Sequence, residues 1–232
     1  MRLIGVIPAR GGSKGIPGKN LASCAGQPLL AYTAHAGLNA EGLQRVLLST
    51  DDSAIADAGQ SLGLEVPFRR PFELAQDDTP MVEVLAHLLD WLESEKECCD
   101  GLVLLQPTSP LRTSEHIEAA MVLFEQHISA TVVSVMAVPH QYTPTSLMCE
   151  FGGMLQPWLP GEQVLRRQDK QKLWARNGPA ILIANPTDIR QGRLYGDRVI
   201  GYEMDACSSL DVDSPDDLAR AERALREKDP GE

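Results

Sequence analysis

The chain has 232 residues and sets 21 Lys and Arg against 32 Asp and Glu, a formal net charge of −11. That balance argues against a nucleic-acid partner, since a phosphate backbone calls for a basic footprint. The 43% apolar content and the length suit one α/β domain, or one domain with an elaboration, and no apolar stretch approaches the roughly 20 residues a membrane-spanning helix needs.

Taken in order, Arg2-Leu3-Ile4-Gly5-Val6-Ile7 reads as a buried strand. Gln27–Leu38 reads as a helix with Pro28 in its first turn and Leu29, Leu30, Thr33 and Ala34 on one side. Arg45–Thr50 is a second buried strand, and Asp51-Asp52-Ser53 caps a helix from Ala54 to Leu62. Leu64–Arg69 is a short strand or extended segment. Thr79–Glu93 is a strongly amphipathic helix, with Thr79 as N-cap and Pro80 in its first turn. Gly101–Leu105 is a strand, Ser114–Gln126 a helix capped by Ser114, and Ala130–Val138 a β-rich run. Strand and helix thus alternate through residue 138, which predicts a parallel sheet with helices on both faces and a ligand site at the carboxyl ends of its strands.

Pro139–Gly161 breaks the rhythm with four prolines, a Gly152-Gly153 turn and the aromatics Tyr142, Phe151 and Trp158. A hairpin-like insertion is expected there, apolar around Leu147–Phe151, because so long a stretch without helix is usually functional. Beyond it, Ala180–Ala184 and Val199–Glu203 read as strands, and Pro215–Glu227 as a last helix capped by Ser214. The five cysteines show no C-x-x-C spacing, and Met1 leads straight into a strand without a basic region and a long apolar run. Reduced thiols, no signal peptide, no membrane partner and a cytoplasmic location are expected.

The chemistry concentrates after the first strand. Arg10–Lys19 holds Gly11, Gly12, Gly15 and Gly18 together with Arg10, Lys14 and Lys19. Glycines let backbone approach a ligand closely, loop N–H groups converge on anions, and the cations add charge, so a polyphosphate is the simplest ligand. Neither common phosphate fingerprint fits. A P-loop would need Gly where Ser13 stands and Ser or Thr where Asn20 stands, and the glycines do not give G-x-G-x-x-G. The plainer alternative is a surface turn with solvated charges. A second feature is Asp211-Val212-Asp213: in extended backbone, residues two apart share a face, and two carboxylates there make a hard oxygen site suited to Mg2+. The alternative is that they merely help cap the last helix.

Arg10-x-x-Ser13-Lys14-x-x-x-x-Lys19-Asn20 after an apolar strand resembles the signature of the CMP-sugar synthetases, the cytidylyltransferases of acylneuraminate, other nonulosonic acids and 3-deoxy-octulosonate. Leu105-Gln106-Pro107-Thr108-Ser109-Pro110-Leu111-Arg112 is similar to a second motif of that family, and Asp211-x-Asp213 to its Mg2+-binding pair. The resemblance covers about residues 2 to 227. It implies a Rossmann-like, mostly parallel sheet with helices on both faces, like that of the nucleotide-diphospho-sugar transferases. It also implies one domain over 1–232, a dimerisation arm inserted at about 139–164, and a homodimer.

By the same resemblance, Ala9, Arg10, Gly11, Ser13, Lys14, Lys19 and Asn20 bind CTP, and Arg70 and Asp78 join them from the Arg-Pro-x-x-Leu-Ala segment. Gln106, Arg166, Arg167, Gln168, Asn177 and Tyr195 face the acceptor. Arg10, Lys19, Asp211 and Asp213 carry catalysis, the last two through Mg2+. The expected reaction is CMP transfer from CTP to an acidic sugar, with loss of pyrophosphate. His140 and Asp213 are the weak candidates for a general base. The chain departs from the family at Trp174, where Tyr is usual, at Pro179–Leu182, and at Leu194-Tyr195, where two phenylalanines are usual. Those changes motivate an alternative acceptor, a phosphonate or other small acid. A non-catalytic nucleotide-binding protein on the same fold is the third reading.

Overall fold

The computed structural model describes residues 1–127, 130–159, 166 and 171–228. Its frame is a sheet built from β1 (Leu3–Pro8), β4 (Leu43–Ser49), β5 (Gly101–Leu105), β6 (Thr131–Ala137), β9 (Trp174–Arg176), β10 (Ile181–Ala184) and β11 (Val199–Glu203). The order is β11-β6-β10-β5-β1-β4, with β9 added to β6. The pairs β1–β4, β1–β5 and β6–β11 are parallel. Strand β10 runs antiparallel to both β5 and β6, and β9 antiparallel to β6. Five strands therefore share one direction and two oppose it, so the sheet is mixed rather than wholly parallel. The reversal matters for the site: it brings the amino end of β10 to the same edge as the carboxyl ends of β1 and β5.

Strand side chains alternate between two cores, as a period of two requires. Leu3, Ile7, Leu48, Val103 and Leu105 pack on one face with Leu30 and Ala34 of α1 (Leu29–Leu38) and Ile117 and Phe124 of α4 (Ser114–Gln126). Ile4, Val6, Leu47, Leu102 and Leu104 pack on the other with Leu85, Leu88 and Leu92 of α3 (Met81–Ser94). A third cluster joins Ile16, Cys24, Leu29, Val212 and Ala221, the last from α6 (Pro215–Lys228).

The helix starts show where local reading needs adjustment. Asp52 caps α2 (Ser53–Ser61) as expected, its Oδ1 accepting from Ile55 N at 3.0 Å. Ser214 and Asp217 cap α6 reciprocally: the Ser214 hydroxyl donates to Asp217 Oδ2 at 2.6 Å and accepts from Asp217 N at 3.2 Å. Helix α4, by contrast, is capped one residue earlier than predicted, by Thr113, whose N–H donates to His116 Nδ1 at 3.1 Å. Thr79 does not cap α3. Its hydroxyl is engaged by Gln76 N and Glu73 O in the turn after Phe72–Ala75, and Pro80 takes the cap position with extended backbone. Pro28 likewise precedes α1 rather than opening it. Elements not foreseen include β9 and the short α5 (Pro186–Arg190) that Asn185 caps by accepting from Asp188 N at 2.9 Å.

The predicted hairpin is present as β7 (Met148–Phe151) and β8 (Met154–Pro157), closed by Gly152-Gly153. The remaining short pair, β2 (Ser23–Cys24) and β3 (Gln27–Pro28), precedes α1. The five cysteines are free thiols. Among the described residues, no helix is long and apolar enough to cross a membrane.

Candidate active site

Past Pro8 the chain stays pinned to β4: Ala9 N donates to Ser49 O at 2.9 Å and Gly11 N to Asp51 Oδ1 at 3.0 Å. The loop closes through buried Asn20, whose Nδ2 donates to the Arg10 carbonyl at 3.0 Å. Its far side is anchored by Ile16, which packs with Val212 and Ala221. Gly15 is required here by proximity alone. A Cβ on it would lie 2.3 Å from the Asp213 carbonyl oxygen, inside any tolerable contact. Glycine loop and Asp-x-Asp segment, at opposite ends of the sequence, are therefore packed backbone to backbone.

Between them opens a cavity of about 330 Å3, lined by Pro8, Arg10, Ser13, Lys14, Gly15, Lys19, Asn20, Arg70, Met81, Gln106, Pro107, Thr108 and Asp213. Lys19 Nζ donates to Val212 O and to Asp213 Oδ1, each at 2.9 Å. Arg70 is buried beneath the loop, where its guanidinium donates to the Ser49 carbonyl and its N–H to Thr50 O at 2.8 Å. Burial, helped by the nearby charge of Arg10 and resisted by Asp51, pushes its pKa down to about 10, so it stays cationic at neutral pH.

The floor comes from the end of β5. Arg112, wholly buried, donates from Nη1 to the Gln106 carbonyl at 3.0 Å and the Ala180 carbonyl at 2.8 Å, tying β5 to the start of β10. Burial pushes its pKa down to about 9. Thr108 O accepts from Val212 N at 2.8 Å, which fixes the Asp-x-Asp segment against this floor. Asp213 reaches the cavity wall, whereas Asp211 sits behind it in contact with the Thr108 side chain. Desolvation raises the Asp211 pKa, with Asp213 adding to the rise. Asp211 Oδ1 is buried without a protein hydrogen-bond partner. Among the described residues no group of three metal-ligating side chains forms. A pair with one unsatisfied oxygen matches Mg2+, which keeps waters and substrate phosphates and takes only one or two carboxylates.

Sequence reasoning missed Asp77. Its Oδ1 lies 2.5 Å from Arg10 Nη1 and its Oδ2 2.5 Å from Lys14 Nζ. Lys14 first and Arg10 next hold its pKa below the usual carboxylate value. Asp78, the residue singled out from sequence, is exposed and lies outside the cavity walls.

Among the described residues, those expected to face the acceptor are not gathered in one place. Gln106 lines the cavity just described. Tyr195 lines a second one, of about 550 Å3, together with Trp174, Arg176, Val133, Val135 and Val199, and the Arg176 guanidinium sits 5.1 Å from its ring centre. Trp174 donates from Nε1 to Glu203 Oε2 at 2.8 Å. Asn177 is buried and its amide is engaged within the protein. Oδ1 accepts from Ser134 Oγ at 2.6 Å, and Nδ2 donates to Ser209 Oγ at 2.9 Å. Arg166 is exposed, and Arg167 and Gln168 lie outside the described residues. His140 lies in a short helical turn, His140–Tyr142, away from the first cavity's walls.

Comparison with known proteins bears on this geometry. A family model described as cytidylyltransferase matches residues 4–149. Over 238 residues the chain is 33% identical to an N-acylneuraminate cytidylyltransferase of Streptococcus agalactiae, a match covering 99% of this chain and 56% of that protein. The chain thus spans little more than half the length of that relative. It is 30% identical over 226 residues to a CMP-N,N'-diacetyllegionaminic acid synthase of Legionella pneumophila, covering 97% of each. Among solved structures, CMP:2-keto-3-deoxy-manno-octonic acid synthetase complexed with CTP superposes with a TM-score of 0.73 at 17% identity, over 98% of this chain and 100% of that one. At that identity the likeness is one of fold.

Proposed function

This chain belongs to the cytidylyltransferase family, and we propose that it transfers CMP from CTP to an acidic acceptor, a nonulosonic (sialic-like) acid, releasing pyrophosphate. The observation that carries this reading is the cavity where Arg10, Ser13, Lys14 and Lys19 face Gln106 and Asp213. It sets anion-binding groups beside a carboxylate pair at one sheet edge, where ligands of such folds collect. The relatives named above act, by their names, on N-acylneuraminate and N,N'-diacetyllegionaminic acid, which does not favour a phosphonate acceptor.

In this reaction an acceptor hydroxyl oxygen attacks the α-phosphorus of CTP. The bond from that phosphorus to the bridging oxygen breaks, pyrophosphate leaves, and the hydroxyl proton passes to solvent. Charge grows on the phosphoryl oxygens and the leaving group. Arg10, Lys14 and Lys19 with the loop N–H groups stabilise it, and the loop backbone that carries them is fixed before substrate arrives. Asp211 and Asp213 are the residues that would hold Mg2+, whose charge would supply further neutralisation of the developing phosphoryl charge. Arg70, rigid and cationic under the loop, adds a fixed positive potential.

Two further readings accompany this one. A homodimer is supported by the apolar side chains that the hairpin β7–β8 leaves in solvent. Five free thiols are in keeping with a reducing, cytoplasmic setting. The test of the activity is pyrophosphate release with CTP and Mg2+ across N-acetylneuraminate, legionaminate, pseudaminate, 3-deoxy-octulosonate and two phosphonates. Release with one sugar acid, lost in Asp211→Asn, is the expected result. Release with phosphonates alone would overturn the acceptor, and none with any acid would overturn the transfer.

A further inference from the structure

Asp77 lies across two of the cations that bound phosphates would need. One carboxylate bridges Arg10 Nη1 and Lys14 Nζ, each at 2.5 Å, and both cations line the cavity while Asp77 approaches from the turn after Phe72–Ala75. A carboxylate and a phosphate oxygen compete for such donors on equal chemical terms, since each is an oxygen anion accepting charge-assisted N–H bonds. The competition is unequal in number. Asp77 brings one charge to two cations, whereas a nucleoside triphosphate brings several charges and would also have Lys19 and Ser13, which line the same cavity, within the site. The internal pair is also weak: with Lys14 80% and Asp77 39% exposed, it is of the solvent-screened kind.

Resting on the nucleotide reading above, we propose that Asp77 is an internal phosphate mimic: it holds Arg10 and Lys14 in the empty protein, yields them to the outer phosphates of an incoming triphosphate, and reclaims them as pyrophosphate departs. Two consequences follow. A ligand with a single phosphate cannot displace the carboxylate effectively, so Asp77 sharpens selection for the triphosphate. Pyrophosphate, once cut free of the nucleoside, meets a competitor already tethered beside its seat, which speeds its release.

The test is calorimetric binding of CTP, CMP and inorganic pyrophosphate to the full chain and to Asp77→Asn, with thermal unfolding of both. Asp77→Asn is expected to bind CTP and pyrophosphate about three- to tenfold more tightly, with CMP moved less. Asp77→Ser, which also removes the charge, must give the same gain, and Asp77→Glu, which keeps it, must stay near the parent. Equal or weaker pyrophosphate binding by Asp77→Asn at an unchanged unfolding temperature would overturn the mimic and make Asp77 a residue that orients the two cations. Failure of every protein to bind CTP or pyrophosphate would instead overturn the nucleotide site itself.

Discussion

Lys19 Nζ lies 2.9 Å from Asp213 Oδ1, a contact between residues 194 positions apart. It holds because Ile16 and Val212 pack in one small apolar cluster and Gly15 lets the two backbones touch. The proposed phosphate loop and the proposed metal-binding segment are thus one rigid unit before any ligand arrives.

Lys19→Met should separate catalysis from folding. The lost groups are a half-exposed ion pair and one bond to the Val212 carbonyl, so stability should fall by about 1 kcal/mol. If Lys19 stabilises developing phosphoryl charge, kcat should fall by about 100-fold. Parallel urea denaturation and pyrophosphate-release assays check both numbers, and a variant that unfolds easily yet turns over normally would remove Lys19 from the catalytic set.

Asn177 should behave in the opposite way. Its amide joins Ser134 on β6 to Ser209 ahead of the Asp-x-Asp segment, and Ser134 Oγ also accepts from Ile181 N at 2.9 Å. Asn177→Ala strands two buried hydroxyl partners, which predicts a loss of about 2 kcal/mol in urea denaturation. Unchanged stability with a raised KM for the acceptor would instead show Asn177 reaching the substrate.

His116 gives the fold a pH dependence. Its Nδ1 must be unprotonated to accept the Thr113 N–H that starts α4. Burial lowers its pKa from 6.5. Asp205 and Glu115 favour the cation, and Lys228 and Arg112 oppose it. Because the folded value lies below the unfolded one, the unfolded chain takes the proton first. The contribution is therefore full above 6.5 and is lost as pH falls through the histidine range. Urea denaturation at pH 7.5 and 5.5 should show His116→Gln losing less stability on acidification than the parent, by about 1 kcal/mol. Equal losses in the two proteins would contradict this role.

Hairpin β7–β8 should mediate self-association. Phe151 is 73% and Leu155 67% exposed, and neighbouring Met154 and Trp158 are similarly bare. Analytical ultracentrifugation should find a dimer for the parent and a monomer for Phe151→Glu/Leu155→Glu. A monomeric parent would remove the arm's proposed role.

Much of this was legible in the sequence because the signals were local. An apolar strand followed by glycines and cations, a Ser-x-x-Asp cap before α6, and two carboxylates two apart in extended backbone each depend on a few neighbouring residues. What escaped depends on direction or on distant partners. Ile181–Ala184 is equally apolar whichever way it runs, so the reversal of β10 was invisible. Asp77 and Asp78 are chemically alike, and only the turn's geometry sends the first onto Arg10 and Lys14. Trp174–Arg176 is too short and exposed to announce a strand, and the internal bonds of Asn177 are made with residues 43 and 32 positions away.

The most direct test of the central claim is phosphorus NMR of CTP, Mg2+ and N-acetylneuraminate or legionaminate incubated with the full chain. Cytidylyl transfer predicts a new phosphodiester resonance from the CMP-linked sugar, growing in step with inorganic pyrophosphate. Both signals should grow about 100-fold more slowly in Lys19→Met and be lost in Asp211→Asn. Pyrophosphate accompanied only by free CMP would mean hydrolysis, and an unchanged CTP spectrum with both acids would contradict the proposed transfer to them.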